Sequence, residues 1–384
     1  MHLRRAWLWL ILVLFLLAGF GAALFTKQRL GAGPGGGWGD KLAAALQETD
    51  CVPAAEKQYG DLRYGGPLID THYHIPHFDS PPPWARRSSR PYMGDNITIG
   101  DIACTITQEG TKKVFAFFPV FPEGHTQEFL DLAAGAMQQH PDVFVPFIMP
   151  PENDNSPAGF PTVAADVLQA FLQAYPGLFQ GYGEIGLYAR GDHGGPTGAP
   201  ALPPNAARLQ AIYPVVREHN VVVYFHLGEG QQAAFEQVLT ENSDINFIWH
   251  GDQLIPYEDG VQNLQHIEEI VSRHPNVFYT IDELYGDQFM LRPEVTKEAF
   301  LAHLENYEIL LAKDLATWQG IIERHPDQFM WGTDRSPQVL WTHDPEMGQA
   351  LTGYSRAFIA RLSPAVQEKF AYKNAERLLE HSPE

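Results

Sequence analysis

Six residues of types that bind divalent cations close or follow apolar runs in this chain: His72, His74, Glu184, His226, His250 and Asp334. His72 and His74 follow Pro67-Leu68-Ile69 within Asp70-Thr71-His72-Tyr73-His74. In extended backbone, residues two apart face the same way, so both imidazoles reach one ion. Glu184 ends Gly181-Tyr182-Gly183-Glu184, His226 ends Val221-Val222-Val223-Tyr224-Phe225-His226, and His250 ends Asn246-Phe247-Ile248-Trp249-His250. Asp334 closes Gln328-Phe329-Met330-Trp331-Gly332-Thr333-Asp334. Singly, each has a plainer explanation: hydrogen-bonded histidines, a core imidazole satisfied by backbone, a loop cap, a salt bridge. Together they crowd negative and basic groups into one pocket, and a divalent cation resolves that crowding. The chemistry of such a centre is that of water activated by a metal ion.

The donors meet only if their runs are parallel strands of one sheet ending at the same edge. Strands are expected at residues 67–72, 113–118, 143–148, 180–185, 221–226, 245–250, 276–281 and 328–332. Helices are expected between them at 98–109, 127–139, 162–174, 205–219, 231–240, 261–273 and 295–324, with a final pair at 349–362 and 364–381. A recurring corner joins helix to strand: His140-Pro141-Asp142-Val143-Phe144, Tyr175-Pro176-Gly177-Leu178-Phe179, His274-Pro275-Asn276-Val277-Phe278 and His325-Pro326-Asp327-Gln328-Phe329. Proline ends the helix at the residue before it, the Asp, Asn or Gly turns the chain, and the aromatic opens the strand. Eight strands alternating with helices predict an α/β fold, a (β/α)8 TIM-like barrel, with an open doubly wound sheet as the alternative. Two long connections, residues 75–96 with Arg86, Arg87 and Arg90, and residues 187–204 with Arg190, are expected on the ligand-bearing face. Their arginines are candidates for holding a substrate carboxylate. His140, His274 and His325 sit at helix ends, where an imidazolium suits the dipole, and read as structural.

Residues 6–25 form an uncharged apolar stretch of 20 residues behind Arg4 and Arg5. A helix of that length spans a hydrocarbon core of roughly 30 Å. The expected organisation is therefore residues 1–30 as a transmembrane helix or a cleaved signal segment, 31–58 as a Gly-rich linker and short helix, and 59–384 as the catalytic barrel. The barrel is then placed outside the cytoplasm, membrane-anchored or secreted after cleavage. Setting aside the four basic residues before Gly31 leaves 22 Lys and Arg against 46 Asp and Glu, a net charge of −24. So acidic a surface repels a phosphate backbone, which excludes nucleic acid as partner and leaves a small molecule. Cys51 and Cys104 are the two cysteines, and either one disulfide or a buried thiol at Cys104 accounts for them.

These motifs resemble the amidohydrolase superfamily, in its amidohydrolase-related branch: Ile69-Asp70-Thr71-His72-Tyr73-His74, Gly183-Glu184-Ile185-Gly186-Leu187, Phe225-His226, Trp249-His250-Gly251-Asp252 and Gly332-Thr333-Asp334, with Asn374-Ala375-Glu376-Arg377-Leu378-Leu379 as the closing helix. The resemblance covers residues 68–379. It implies that His72, His74 and Asp334 bind a first metal and that Asp334 also shuttles protons. His226 and His250 bind a second metal, or His226 completes a single site while His250 acts on substrate. Glu184 takes the place of a bridging carboxylate, which single-metal decarboxylases of the aminocarboxymuconate-semialdehyde type generally lack. The expectation is a hydrolase using one or two divalent ions, Zn2+ first, to attack an amide, ester or lactone. Decarboxylation by one metal is the alternative.

Overall fold

The computed structural model describes residues 37–51, 62–78, 91–120, 126–150, 161–189, 201–251, 260–282, 284, 295–305, 307–335 and 343–380. Eight parallel strands follow one another around a single sheet in chain order: β1 (Ile69–His74), β2 (Lys113–Pro119), β3 (Phe144–Met149), β4 (Gly181–Gly186), β5 (Val222–His226), β6 (Phe247–Trp249), β7 (Val277–Ile281) and β8 (Phe329–Trp331). The ring is nearly closed. Past the end of β8 the chain bridges back to β1 in parallel at Tyr73 and Arg335, and the His74 amide donates to the Arg335 carbonyl at 3.0 Å. Both faces of these strands are buried, which is why they read as apolar runs rather than alternating ones. The barrel is the expected fold, and the open sheet is set aside.

The interior is filled from below. Ile69, Phe115, Phe117, Val145, Phe147, Val222, Tyr224, Ile248, Phe278 and Met330 form one buried cluster, and Ala375 and Leu378 of the last helix, Asn374–Leu379, join it as a plug. Asn374 anchors that helix by donating its amide to the carbonyls of Pro326 and Phe329, both at 2.8 Å. The aromatic floor leaves only the carboxyl ends of the strands for polar groups.

The four helix-to-strand corners share one turn. In each, the residue before proline accepts a hydrogen bond from the amide three positions on: Val143 to His140, Leu178 to Tyr175, Val277 to His274 and Gln328 to His325. Proline supplies the fixed φ that the second position of such a turn requires. Two corners are each clamped by one glutamate from an earlier helix, Gln232–Glu241 for the first and Gly260–Arg273 for the second. Glu236 takes His274 at 3.2 Å and Glu268 takes His325 at 3.2 Å, so these histidines are structural as expected. Two expected helices are interrupted instead. The segment at 205–219 splits into Ala207–Gln210 and Tyr213–Glu218, the latter opening at Pro214. The segment at 295–324 divides into Lys297–Leu304, Tyr307–Asp314 and Gly320–Arg324, with a widened π turn at Leu315–Gln319.

At the amino-terminal end, the helix Trp38–Ala45 and the segment after it lie against the outer helices. Cys51 and Cys104 form a disulfide, with Cα atoms 5.4 Å apart, which resolves the alternative left by the sequence. Lys41 donates to the Phe78 carbonyl at 2.9 Å and pairs with Asp95 at 3.2 Å. Thr49 donates to Asp101 at 3.0 Å, beside the capping box at the start of the helix Ile99–Glu109. Residues 1–36 lie outside the described residues, and with them the apolar stretch at 6–25. The membrane-anchored placement is corrected: among the described residues no helix is long and apolar enough to cross a membrane. Among the described residues the longest regular helix, Pro345–Ile359, has 15 residues, which gives about 22 Å where roughly 30 Å is needed.

Candidate metal centre

The barrel brings all six predicted donors to its carboxyl-terminal mouth. His72 and His74 lie within β1, Glu184 within β4, His226 ends β5, His250 follows β6, and Asp334 lies three residues past β8. The His72 and His74 Nε2 atoms are 2.9 Å apart. Asp334 Oδ1 lies 3.1 Å from His74 Nε2 and 3.4 Å from His72 Nε2. Glu184 Oε2 lies 3.4 Å and 3.6 Å from the same two nitrogens. The other oxygen of Glu184 turns to the remaining histidines, accepting from His226 Nδ1 at 2.6 Å and lying 3.5 Å from His250 Nε2. His226 and His250 stack with ring centroids 4.5 Å apart.

Those spacings can be set against what a divalent ion requires. With ligands at about 2.0–2.1 Å, neighbouring donors stand about 2.9 Å apart in octahedral geometry and about 3.3–3.4 Å apart in tetrahedral geometry. The five separations measured among His72, His74, Asp334 and Glu184 Oε2 run from 2.9 to 3.6 Å. Imidazole nitrogen and carboxylate oxygen are ligands that zinc and its neighbours accept. The residues fit a divalent metal at the first set, and Glu184, His226 and His250 form a second group with donor atoms within 4.8 Å of one another.

The charges point the same way. Burial disfavours a cationic His72, yet the carboxylates of Asp334 and Asp282 hold its pKa well above 6.5. Burial likewise disfavours a charged Glu184, but His250 and the hydrogen bonds from His226 and His72 hold it well below the usual carboxylate range. The carboxylates of the pocket thus favour positive charge at His72, the charge that a cation would also supply. Asp334 is the open member, with 23% of its side chain exposed against 4% for Glu184.

The local backbone makes this approach possible. Gly183 has φ 140°, and a Cβ there would stand 2.4 Å from the Tyr224 carbonyl oxygen. Asp334 has φ 46°, an uncommon conformation for a residue with a side chain, and such residues gather at functional sites. It is held there by its neighbours. Thr333 donates both its amide, at 2.9 Å, and its hydroxyl, at 2.5 Å, to the buried Asp70. Burial pushes the Asp70 carboxyl up to about 6 despite nearby Arg335. Arg335, fully buried, pairs with Glu109 at 2.6 Å.

Sequence reasoning missed Asp282, which follows Val277–Ile281 of β7 and lies buried behind the histidines. Its signal is the one that marks the other donors, an ionisable residue directly after an apolar run. Tyr224 belongs by its sequence simply to the β5 run, but its hydroxyl stands 3.0 Å from His72 Nδ1. Arg86, Arg87, Arg90 and Arg190, the expected holders of a substrate carboxylate, lie outside the described residues.

The family model described as Amidohydrolase matches residues 69–380. Among solved structures, the fold is similar to an amidohydrolase from Burkholderia multivorans with bound zinc, at 12% identity over 82% of this chain and 99% of that one, TM-score 0.51. A probable 2-pyrone-4,6-dicarboxylic acid hydrolase from Acinetobacter baumannii with bound citric acid is 16% identical over 82% and 99%, TM-score 0.48. A 2,6-dihydroxybenzoate decarboxylase from Rhizobium is 13% identical over 82% and 98%, TM-score 0.45. No curated protein matches the chain.

Proposed function

The chain belongs to the amidohydrolase family, and from that membership together with the donor geometry we propose that it is a metal-dependent hydrolase of a small-molecule amide, ester or lactone. One observation carries the reading: Glu184 presents one oxygen to His72 and His74 and the other to His226 and His250. A carboxylate so placed is a bridge between two donor sets. His72, His74 and Asp334 would hold a first ion with Glu184, and His226 and His250 would hold a second.

A bound divalent ion supplies Lewis acidity, lowering the pKa of water from 15.7 toward about 7. The chain's own groups do the rest. Asp334, the most exposed of the donors, accepts the proton of the attacking water at Oδ2 and delivers it to the leaving group. Its Oδ1 stays turned to His72 and His74, so the two oxygens divide binding from proton transfer. In this two-ion reading His250, whose Nε2 lies 3.5 Å from Glu184 and 3.8 Å from Asp334, serves as a ligand of the second set rather than as a contact to substrate. Tyr188 packs its ring edge-on against His226 at 4.5 Å and closes that side of the pocket to water.

The test is to load the purified chain with Zn2+ and, separately, Mn2+, measure ions per chain, and screen amides, lactones and esters with loaded and stripped protein. Metal-dependent release of acid from one of these classes is expected. Metal-dependent release of carbon dioxide from an aromatic or unsaturated acid, with no hydrolysis, contradicts the reading and makes the chain a decarboxylase.

A further inference from the structure

Behind the donors, on the side away from the mouth, one carboxylate faces both metal-binding sets. Asp282 is fully buried. Its Oδ2 lies 3.5 Å from His72 Nδ1 and 3.4 Å from His250 Nδ1. The Tyr224 hydroxyl bridges the first gap, standing 3.0 Å from His72 Nδ1 and donating to Asp282 Oδ2 at 3.5 Å. The other oxygen, Oδ1, accepts from Thr280 at 3.0 Å, and the Gly251 amide donates to Oδ2 at 3.4 Å. Gly332 faces this carboxylate closely, since a Cβ there would stand 2.2 Å from Oδ1. Asp282 is therefore held from three elements and cannot swing to serve one ring alone.

We propose that Asp282 is a positioning residue shared by the two donor sets: it fixes the Nδ1–H tautomer of His72 and of His250, so that both rings turn a bare Nε2 toward Glu184 and Asp334. A neutral imidazole carries one proton on either nitrogen, and only the unprotonated nitrogen is a ligand. With Nδ1 of each ring facing Asp282, the proton sits behind and the lone pair in front. His72 donates through the Tyr224 hydroxyl, which passes its own hydrogen to Asp282, and His250 donates to Asp282 directly. Partners of this kind behind metal-binding histidines raise ligand basicity and typically change metal affinity by 10–100-fold. Here one carboxylate does this for a ligand of each set, so its loss weakens both sites together. The inference rests on the metal-site reading of the preceding section.

The experiment compares wild type with Asp282→Asn, which keeps the shape but offers one acceptor and one donor group where a carboxylate offers two acceptors. Two readouts are taken on each protein: Zn2+ affinity by competition with a chromophoric chelator, and histidine tautomers in the metal-free chain by long-range 15N–1H correlation at alkaline pH, where the rings are neutral. The expected result is a 10–100-fold loss of affinity at both sites, with His72 and His250 shifting from Nδ1–H to mixed tautomers. Unchanged affinity and unchanged tautomers overturn the proposal while leaving the hydrolase reading intact. If wild type binds no divalent ion, the hydrolase reading fails and the tautomers alone decide: Nδ1–H in wild type and mixed in Asp282→Asn supports the role of Asp282, and identical tautomers overturn it. Should Asp282→Asn not fold, Tyr224→Phe replaces it. Removing the hydroxyl is expected to disturb the His72 tautomer and leave that of His250, and a His72 ring unaffected by it overturns the proposal.

Discussion

At the carboxyl ends of the strands, His72, His74, His226 and His250 lie buried among Glu184, Asp282 and Asp334. At the opposite end of the same cylinder, Ala375 and Leu378 seal an apolar floor. The two ends are built by the same strands and held by different physics. The floor depends on volume, because close-packed interiors penalise any missing methylene. The mouth depends on charge and hydrogen bonding, because each ionisable group there is tolerable only with a partner. Changes at the mouth should therefore alter activity, metal content and acid sensitivity while leaving packing intact, and changes at the floor should do the reverse.

The largest effect is expected at the mouth. Asp334→Asn removes the proton acceptor but preserves shape, and kcat on any substrate found should fall by about three orders of magnitude, within the range of general-base contributions. Circular dichroism and melting of the metal-free protein should be close to wild type. Retained turnover would remove Asp334 from proton transfer and blur the division between the two ends.

A second effect concerns the supports of the mouth. His343 donates through Nε2 to the His74 carbonyl at 2.9 Å, and burial pushes its pKa down to about 3 from 6.5. Between those values the unfolded chain binds a proton that the folded chain does not. Stability from this group is thus complete above pH 6.5 and is lost as pH falls toward 3, by about 5 kcal/mol. His343→Gln, which can still donate to His74, should shift the acid-unfolding midpoint of the chelator-treated protein to lower pH. An unchanged midpoint would mean that His343 is not buried in its neutral form.

The smallest effect belongs to the floor. Leu378→Ala deletes part of the plug and should cost about 3 kcal/mol of stability, read as a lowered denaturant midpoint. Zinc affinity, and kcat measured below the melting range, should stay at wild-type values. A fall in metal affinity here would show that the two ends are coupled through the barrel.

Much of the mouth is legible in the sequence because an ionisable residue after an apolar run is costly without a partner, and five such runs carry one. The same rule reaches Asp282, which directly follows the β7 run ending at Ile281. Tyr224 is harder, since a tyrosine inside a buried strand looks the same whether its hydroxyl faces a helix or a ligand. The support given by Asp70, Thr333, Arg335 and Glu109 joins residues up to 263 positions apart, and nothing local announces such a pairing. The corners are legible because proline acts on its immediate neighbours. The breaks at 205–219 and 295–324 are less so, because helix periodicity continues across a π turn or a two-residue interruption.

The most direct test of the central claim is X-ray diffraction from crystals of the zinc-loaded chain, with data on both sides of the zinc absorption edge. Two anomalous peaks are predicted, one flanked by His72, His74 and Asp334 and one by His226 and His250, with Glu184 reaching both. Crystals that bind zinc elsewhere and show no peak among these side chains would contradict the account.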